Sequence, residues 1–121
     1  MDGGNMRNYL RSPETEEKYL RFRSSLPVEH ACLLCKKEPI KSYDKWIIIK
    51  NDFPYDKIAT LHHMIMPKRH TTEPDLTKEE RDEFIKIKRK ELQSYDIILE
   101  STENSSSIRD HYHIHLLDIG N

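Results

Sequence analysis

The stretch His111-Tyr112-His113-Ile114-His115-Leu116-Leu117-Asp118, near the end of the 121 residues, sets three histidines on alternate positions with apolar or aromatic residues between them. In extended backbone, successive side chains leave by opposite faces and the chain rises about 3.3 Å per residue. The stretch therefore predicts a strand with His111, His113 and His115 in one row, and with Tyr112, Ile114 and Leu116 turned to the other side. Imidazole is costly in an apolar core unless it is hydrogen-bonded, and near neutral pH it serves as base, nucleophile or metal ligand. A solvated polar face on a half-exposed strand is the plainer alternative, and the rest of the chain decides between them.

Working outward, His62-His63-Met64-Ile65-Met66 predicts a second strand, stopped by Pro67 because proline cannot donate to a ladder. Trp46-Ile47-Ile48-Ile49 predicts another, short and β-branched, ended by Asn51-Asp52-Phe53-Pro54. Thr77 followed three residues later by Glu80 forms a capping-box pattern. It opens a helix running to about Ser94, with Phe84, Ile87 and Leu92 as a narrow buried stripe. Tyr95 to Leu99 then reads as a strand and Ser101 to Ser107 as a turn.

At the other end, Ser12 at the N-cap and Pro13 in the first turn open a short helix carrying Tyr19, Phe22 and Leu26. Residues 1–11, with Gly3 and Gly4 and no apolar period, are expected to be frayed. The chain thus divides into an N-terminal extension with a short helix, 1–29, and a main domain, 30–121. Strands separated by one long helix, without a repeated βαβ pattern, predict an α+β fold with an antiparallel β-sheet and flanking helices.

Hydrophobic residues make up only 36% of the chain and charged ones 34%, so a single modest core must hold the fold. Lys plus Arg (20) nearly balance Asp plus Glu (21), and no basic face interleaved with aromatics stands out, which argues against duplex nucleic acid as a partner. No stretch is apolar enough to span a membrane, and residues 1–26 are too polar for a secretory signal, so a cytoplasmic protein is expected.

Under that expectation the only two cysteines, in Cys32-Leu33-Leu34-Cys35, stay reduced, and metal binding outranks a structural disulfide. A thioredoxin-like redox motif would sit in a βαβ pattern, and none is visible. Two cysteines at this spacing can grip one zinc ion, but a closed structural site needs four ligands. His70 and His111 both lie at element ends, where a side chain can turn toward a distant loop. If they complete the set, the ion cross-links long loops in a chain with a weak core and leaves no position for water, which makes it structural.

Together these residues resemble the histidine triad (HIT) superfamily. The final strand is similar to its signature, His62 through Met66-Pro67-Lys68-Arg69-His70 resembles its other hallmark, and Cys32-Leu33-Leu34-Cys35 matches the zinc-binding pair of many bacterial members. The resemblance covers roughly residues 30–118. It implies an α+β homodimer that acts on nucleotides at the α-phosphate as a hydrolase or transferase, with Cys32, Cys35, His70 and His111 as zinc ligands.

It further implies His113 as the nucleophile, forming a nucleotidyl-histidine that water hydrolyses, and His115 and His62 as residues lining the phosphate. His63, on the opposite side of a regular strand from His62, falls outside that site. An acidic residue commonly binds the ribose where this chain has Asn51 and Asp52, so either of these, or a plain turn, stands there. The usual glycine-rich turn with Gly-Gln-Ser/Thr is replaced by Asn104-Ser105-Ser106-Ser107-Ile108, with Ser107 the candidate phosphate-contacting hydroxyl.

The leading expectation is a nucleotide hydrolase acting on a phosphoanhydride or phosphoramidate, dinucleoside polyphosphates among them. A nucleotidyltransferase and a non-catalytic, zinc-stabilised nucleotide-binding or interaction module are the alternatives. In this reading His111 belongs to zinc and its same-face neighbour His113 to phosphate, so loss of zinc should disturb catalysis as well as stability.

Overall fold

Strand pairing dominates the architecture of the computed structural model, which describes residues 10–25, 32, 34–102 and 111–120. One five-stranded sheet, β1 (Pro39–Ser42), β2 (Trp46–Lys50), β3 (Leu61–Pro67), β4 (Ile97–Leu99) and β5 (Ile114–Asp118), has the order β1-β2-β3-β5-β4. Every pairing in it is antiparallel. Among the described residues the helices α1 (Pro13–Ser24) and α2 (Lys78–Lys90) accompany it, with single 3-10 turns at Glu73–Asp75 and Leu92–Ser94. The α+β class with an antiparallel sheet and flanking helices is the observed one. Among the described residues no helix is long and apolar enough to cross a membrane.

The register places the chemistry. Met64 pairs with His115 and His62 with Leu117, so these four side chains share one face of the sheet. Ile65 pairs with Ile114 and His63 with Leu116, on the other face. That second face carries the main core: Trp46, Ile48, Ile65, Ile114 and Leu116 pack with Ile87 of α2 and Leu92, and Tyr112, Phe84 and Tyr95 close the edge. The histidine-bearing face has a smaller apolar cluster of Leu34, Ile49, Met64 and Met66, against which Cys32 packs.

Local chemistry explains the helices. Thr77 Oγ1 accepts from the Glu80 N–H while the Glu80 carboxylate accepts from the Thr77 N–H, so the capping box is complete. The Trp46 indole donates to the Glu80 carbonyl at 2.8 Å, locking the first turn of α2 onto β2. Ser12 caps α1, and its main-chain N–H and hydroxyl, with the Thr15 hydroxyl, all bond the carboxylate of Asp56. Partial burial pushes the Asp56 carboxyl up, but the bonds from Thr15 and Ser12 outweigh it and hold the group below the usual carboxylate range.

Several boundaries differ from expectation for physical reasons. The long helix stops at Lys90, because the chain tightens into the Leu92–Ser94 turn that drops Leu92 into the core, and β4 starts only at Ile97. β1 has all four residues exposed at the sheet edge, so it carries no hydrophobic alternation to read. The final strand begins at Ile114 rather than His111. The Tyr112 N–H bonds the Thr71 carbonyl, and the His113 ring bonds back to the His111 carbonyl, so residues 111–113 form a bend ahead of the ladder. Arg11, placed by the sequence in a frayed stretch, is 4% exposed. Leu26 lies outside the described residues.

Ile65, fully buried in the central strand, should cost about 2–5 kcal/mol of unfolding free energy when changed to Ala. Ile85, 45% exposed on α2, should cost under about 1 kcal/mol. Denaturant titration of the two variants side by side measures the contrast.

Candidate active site and metal centre

The bend before β5 turns the His111 ring toward the loop that carries the cysteines. Cys32 Sγ lies 3.4 Å from His111 Nδ1, while Cys35 Sγ lies 3.2 Å from His70 Nδ1 and 3.4 Å from His111 Nδ1. All the ligand atoms of Cys32, Cys35, His70 and His111 lie within 4.8 Å of one another. A tetrahedral ion with S and N ligands at about 2.3 and 2.0 Å has S···N edges of about 3.5 Å, so the donors present fit zinc.

The tautomer fits as well. His111 Nε2 is 3.0 Å from the Pro67 carbonyl, which can only accept, so the ring proton sits on Nε2 and the Nδ1 lone pair faces the thiols. His111 is fully buried, whereas Cys35 and His70 are exposed. His70 is brought in by its neighbour Arg69, whose guanidinium bonds both carboxylate oxygens of Glu80 and the Asp75 carbonyl. The Arg69 guanidinium holds the Glu80 carboxyl below its ordinary range.

Beside this cluster the remaining histidines are ordered by their hydrogen bonds. His113 Nδ1 is 2.9 Å from the His111 carbonyl and must donate to it, so in the neutral form of this partly exposed ring Nε2 is the basic nitrogen. His62 Nδ1 accepts from the Tyr55 N–H at 3.0 Å, so the proton of the neutral ring is on Nε2. That nitrogen lies 2.8 Å from His115 Nδ1, which therefore accepts, and the His115 proton is on Nε2. The His113 and His115 rings meet edge-to-face at 5.2 Å.

His62 and His115 are only 3% and 4% exposed. Burial, helped by the positive charge of Arg11, pushes the His62 pKa down to about 3, so the ring is neutral throughout the neutral range. His63 faces the other way, bonded to the Tyr95 hydroxyl at 2.7 Å. Among the positions that stand where a ribose contact is expected, Asn51 is buried with Oδ1 accepting from the Phe53 N–H and Nδ2 near His62 and Met64, and Asp52 pairs with Lys37. Ser107 lies outside the described residues.

Two residues of the site were not visible in the sequence. Tyr55, 2% exposed, lays its ring on His62 and His115, with centroids 4.5 and 5.0 Å away. Arg11 donates to the Phe53 carbonyl at 2.7 Å and places its guanidinium over the Tyr19 and Tyr55 rings. No motif marks an aromatic in a turn or an arginine ahead of a helix. The one signal was the helical spacing of Tyr19 and Phe22 on α1, both of which pack on Phe53.

No protein-family model matches the chain, and no curated protein sequence matches it. Solved structures do. The chain is similar to the HIT family hydrolase of Legionella pneumophila Philadelphia 1, with a TM-score of 0.56 and 20% identity over 75% of this chain and 95% of that one. It is similar to the HIT family hydrolase from Clostridium thermocellum, with a TM-score of 0.54 and 20% identity over 78% of this chain and 95% of that one. A histidine triad protein from Clostridium difficile aligns with a TM-score of 0.50 and 19% identity over 74% of this chain and 90% of that one. The chain therefore has the fold of the histidine triad proteins.

Two measurements follow from this geometry. Protein purified without a histidine tag should carry about one zinc per chain by elemental analysis, as a closed four-ligand site would; Cys32→Ser should lose the metal and unfold at lower denaturant concentration. For His62 the folded state excludes a proton that the unfolded state binds between about pH 6.5 and 3. Its contribution to stability is therefore complete above about pH 6.5 and is lost as pH falls, with a slope of up to about 1.4 kcal/mol per pH unit. Unfolding of His62→Gln across the same pH range should show a shallower acid slope than the parent protein.

Proposed function

We propose that the chain is a HIT-type nucleotide hydrolase that cleaves at the α-phosphate of a nucleoside phosphoanhydride or phosphoramidate, with His113 as nucleophile. The observation that supports this reading is the bond from His113 Nδ1 to the His111 carbonyl, which in the neutral ring leaves Nε2 as the basic nitrogen of the one member of the triad that is not buried. An unprotonated ring nitrogen that substrate can reach is what covalent catalysis at phosphorus requires.

In the first step the Nε2 lone pair forms a bond to the α-phosphorus, and the bond from phosphorus to the leaving group breaks with its electron pair on that group. The positive charge that develops on the ring is stabilised through Nδ1–H by the His111 carbonyl. Water then attacks the nucleotidyl-histidine, releasing the nucleoside monophosphate and the neutral ring. His115 Nε2–H is the donor that the neighbouring buried pair presents to a phosphoryl oxygen, with His62 behind it holding the tautomer. Asn51 and Ser107 belong to the nucleotide side of this proposal.

Cys32, Cys35, His70 and His111 would hold zinc, which when bound supplies a cross-link between loops and no chemistry at phosphorus. His111 belongs to both parts, ring to the metal cluster and carbonyl to His113, so metal loss should lower turnover as well as stability. A homodimer is part of the same reading. Its place would be the free edge of β4, which among the described strands pairs on one side only.

Incubation with an adenosine phosphoramidate and with diadenosine tetraphosphate should release AMP. His113→Asn should reduce that release by at least about a thousandfold while leaving zinc content and the unfolding midpoint unchanged. Retained release would remove His113 from its role, and nucleotide binding without turnover in the parent protein would favour a binding module instead.

A further inference from the structure

One residue stands at both ends of the buried histidine pair. The Tyr55 main-chain N–H donates to His62 Nδ1 at 3.0 Å, His62 Nε2–H donates to His115 Nδ1 at 2.8 Å, and His115 Nε2 lies 3.4 Å from the Tyr55 hydroxyl oxygen. The direction of every bond follows from the first: a peptide N–H can only donate, so each ring accepts on Nδ1 and donates from Nε2. The sequence of donors leaves Tyr55 by its backbone and returns to it by its side chain.

Tyr55 is itself held firmly. Its carbonyl accepts from the Ile58 and Ala59 N–H groups, and its ring lies under the Arg11 guanidinium at 5.1 Å. Arg11 in turn grips the same turn through the Phe53 carbonyl and is paired with Glu16 of α1 at 3.1 Å. A phenylalanine would supply the same ring contacts on His62 and His115. Its hydroxyl, on a residue only 2% exposed, sits opposite the His115 Nε2–H.

We propose that Tyr55 is a positioning residue for the histidine pair: its backbone sets the tautomer of both rings, and its phenol oxygen holds the His115 Nε2–H until a phosphoryl oxygen replaces it as acceptor. The inference rests on the nucleotide-hydrolase reading for its last step and on the geometry alone for the rest. At 3.4 Å the phenol contact is longer than the usual 2.7–3.2 Å range for N–H donors, so it is a weak acceptor. An ionised phosphoryl oxygen makes shorter and stronger bonds to the same donor. Tyr55 thus keeps the proton in place without competing strongly for it. Arg11 thereby joins the device to α1, through its ion pair with Glu16.

The test is Tyr55→Phe in the full chain, which preserves the ring and the backbone N–H. Nitrogen-15 spectra of the imidazoles, recorded without nucleotide, should show a His115 Nε2 proton that exchanges slowly with water in the parent protein and rapidly in the variant. The amide spectrum, unchanged elsewhere, controls for folding. With an adenosine phosphoramidate, kcat should fall about tenfold while KM moves by less than about twofold, the pattern for a group that orients a donor without binding substrate. An unchanged His115 proton signal in the variant overturns the proposal whatever kcat does. Absence of AMP release from the parent protein would overturn the hydrolase reading instead, and the spectra would still decide the role of Tyr55.

Discussion

The structure turns on His111, a fully buried imidazole whose two ring nitrogens and main-chain carbonyl each face a different partner. Nδ1 faces the thiols of Cys32 and Cys35, Nε2–H is spent on the Pro67 carbonyl at the end of β3, and the main-chain carbonyl receives the His113 ring. An unpaired buried ring nitrogen would be costly, so the two ring contacts form together. That requirement bends residues 111–113 out of the ladder and delays β5 until Ile114. The cysteine loop, the His70 loop and the triad are thereby brought to one corner of the sheet.

A second constraint governs His62 and His115. Two neutral imidazoles buried side by side are satisfied only if each donates once and accepts once. The Tyr55 N–H supplies the starting direction for that order. The resulting cluster differs from a row of equivalent histidines on a polar strand. Of the triad only His113 keeps a partly exposed ring, while His115 is buried against His62, which burial keeps neutral.

The N-terminal helix contributes more than cover. Ser12 and Thr15 fasten the start of α1 to Asp56, and Arg11 and Tyr19 seal Phe53 and Tyr55 from outside. The turn between β2 and β3, which carries Asn51 and Tyr55 against the histidines, is thus clamped from the helix side. On the opposite face of the sheet, Trp46 and α2 form the main apolar core, and α2 reaches toward the site through Glu80, which holds Arg69 beside His70.

Periodicity and capping chemistry were enough to read β2, β3, α2 and the α+β class, because each depends on near neighbours in the chain: β-branched runs, a proline stop, Thr77 with Glu80. The spacing of Cys32 and Cys35 named two candidate ligands, and the positions of His70 and His111 at element ends made them eligible to join; the structure brings the four together. Three things depended on the tertiary structure. β1 is exposed on every side chain and leaves no pattern; the bend at residues 111–113 answers to Pro67 and Thr71, about 40 residues away in the chain; and Tyr55 and Arg11 acquire their roles from partners on other elements. Hydrogen-bond direction in a buried cluster is a property of the whole closed set of donors and acceptors, so residue types alone could propose which histidines gather but not which nitrogen of each carries the proton.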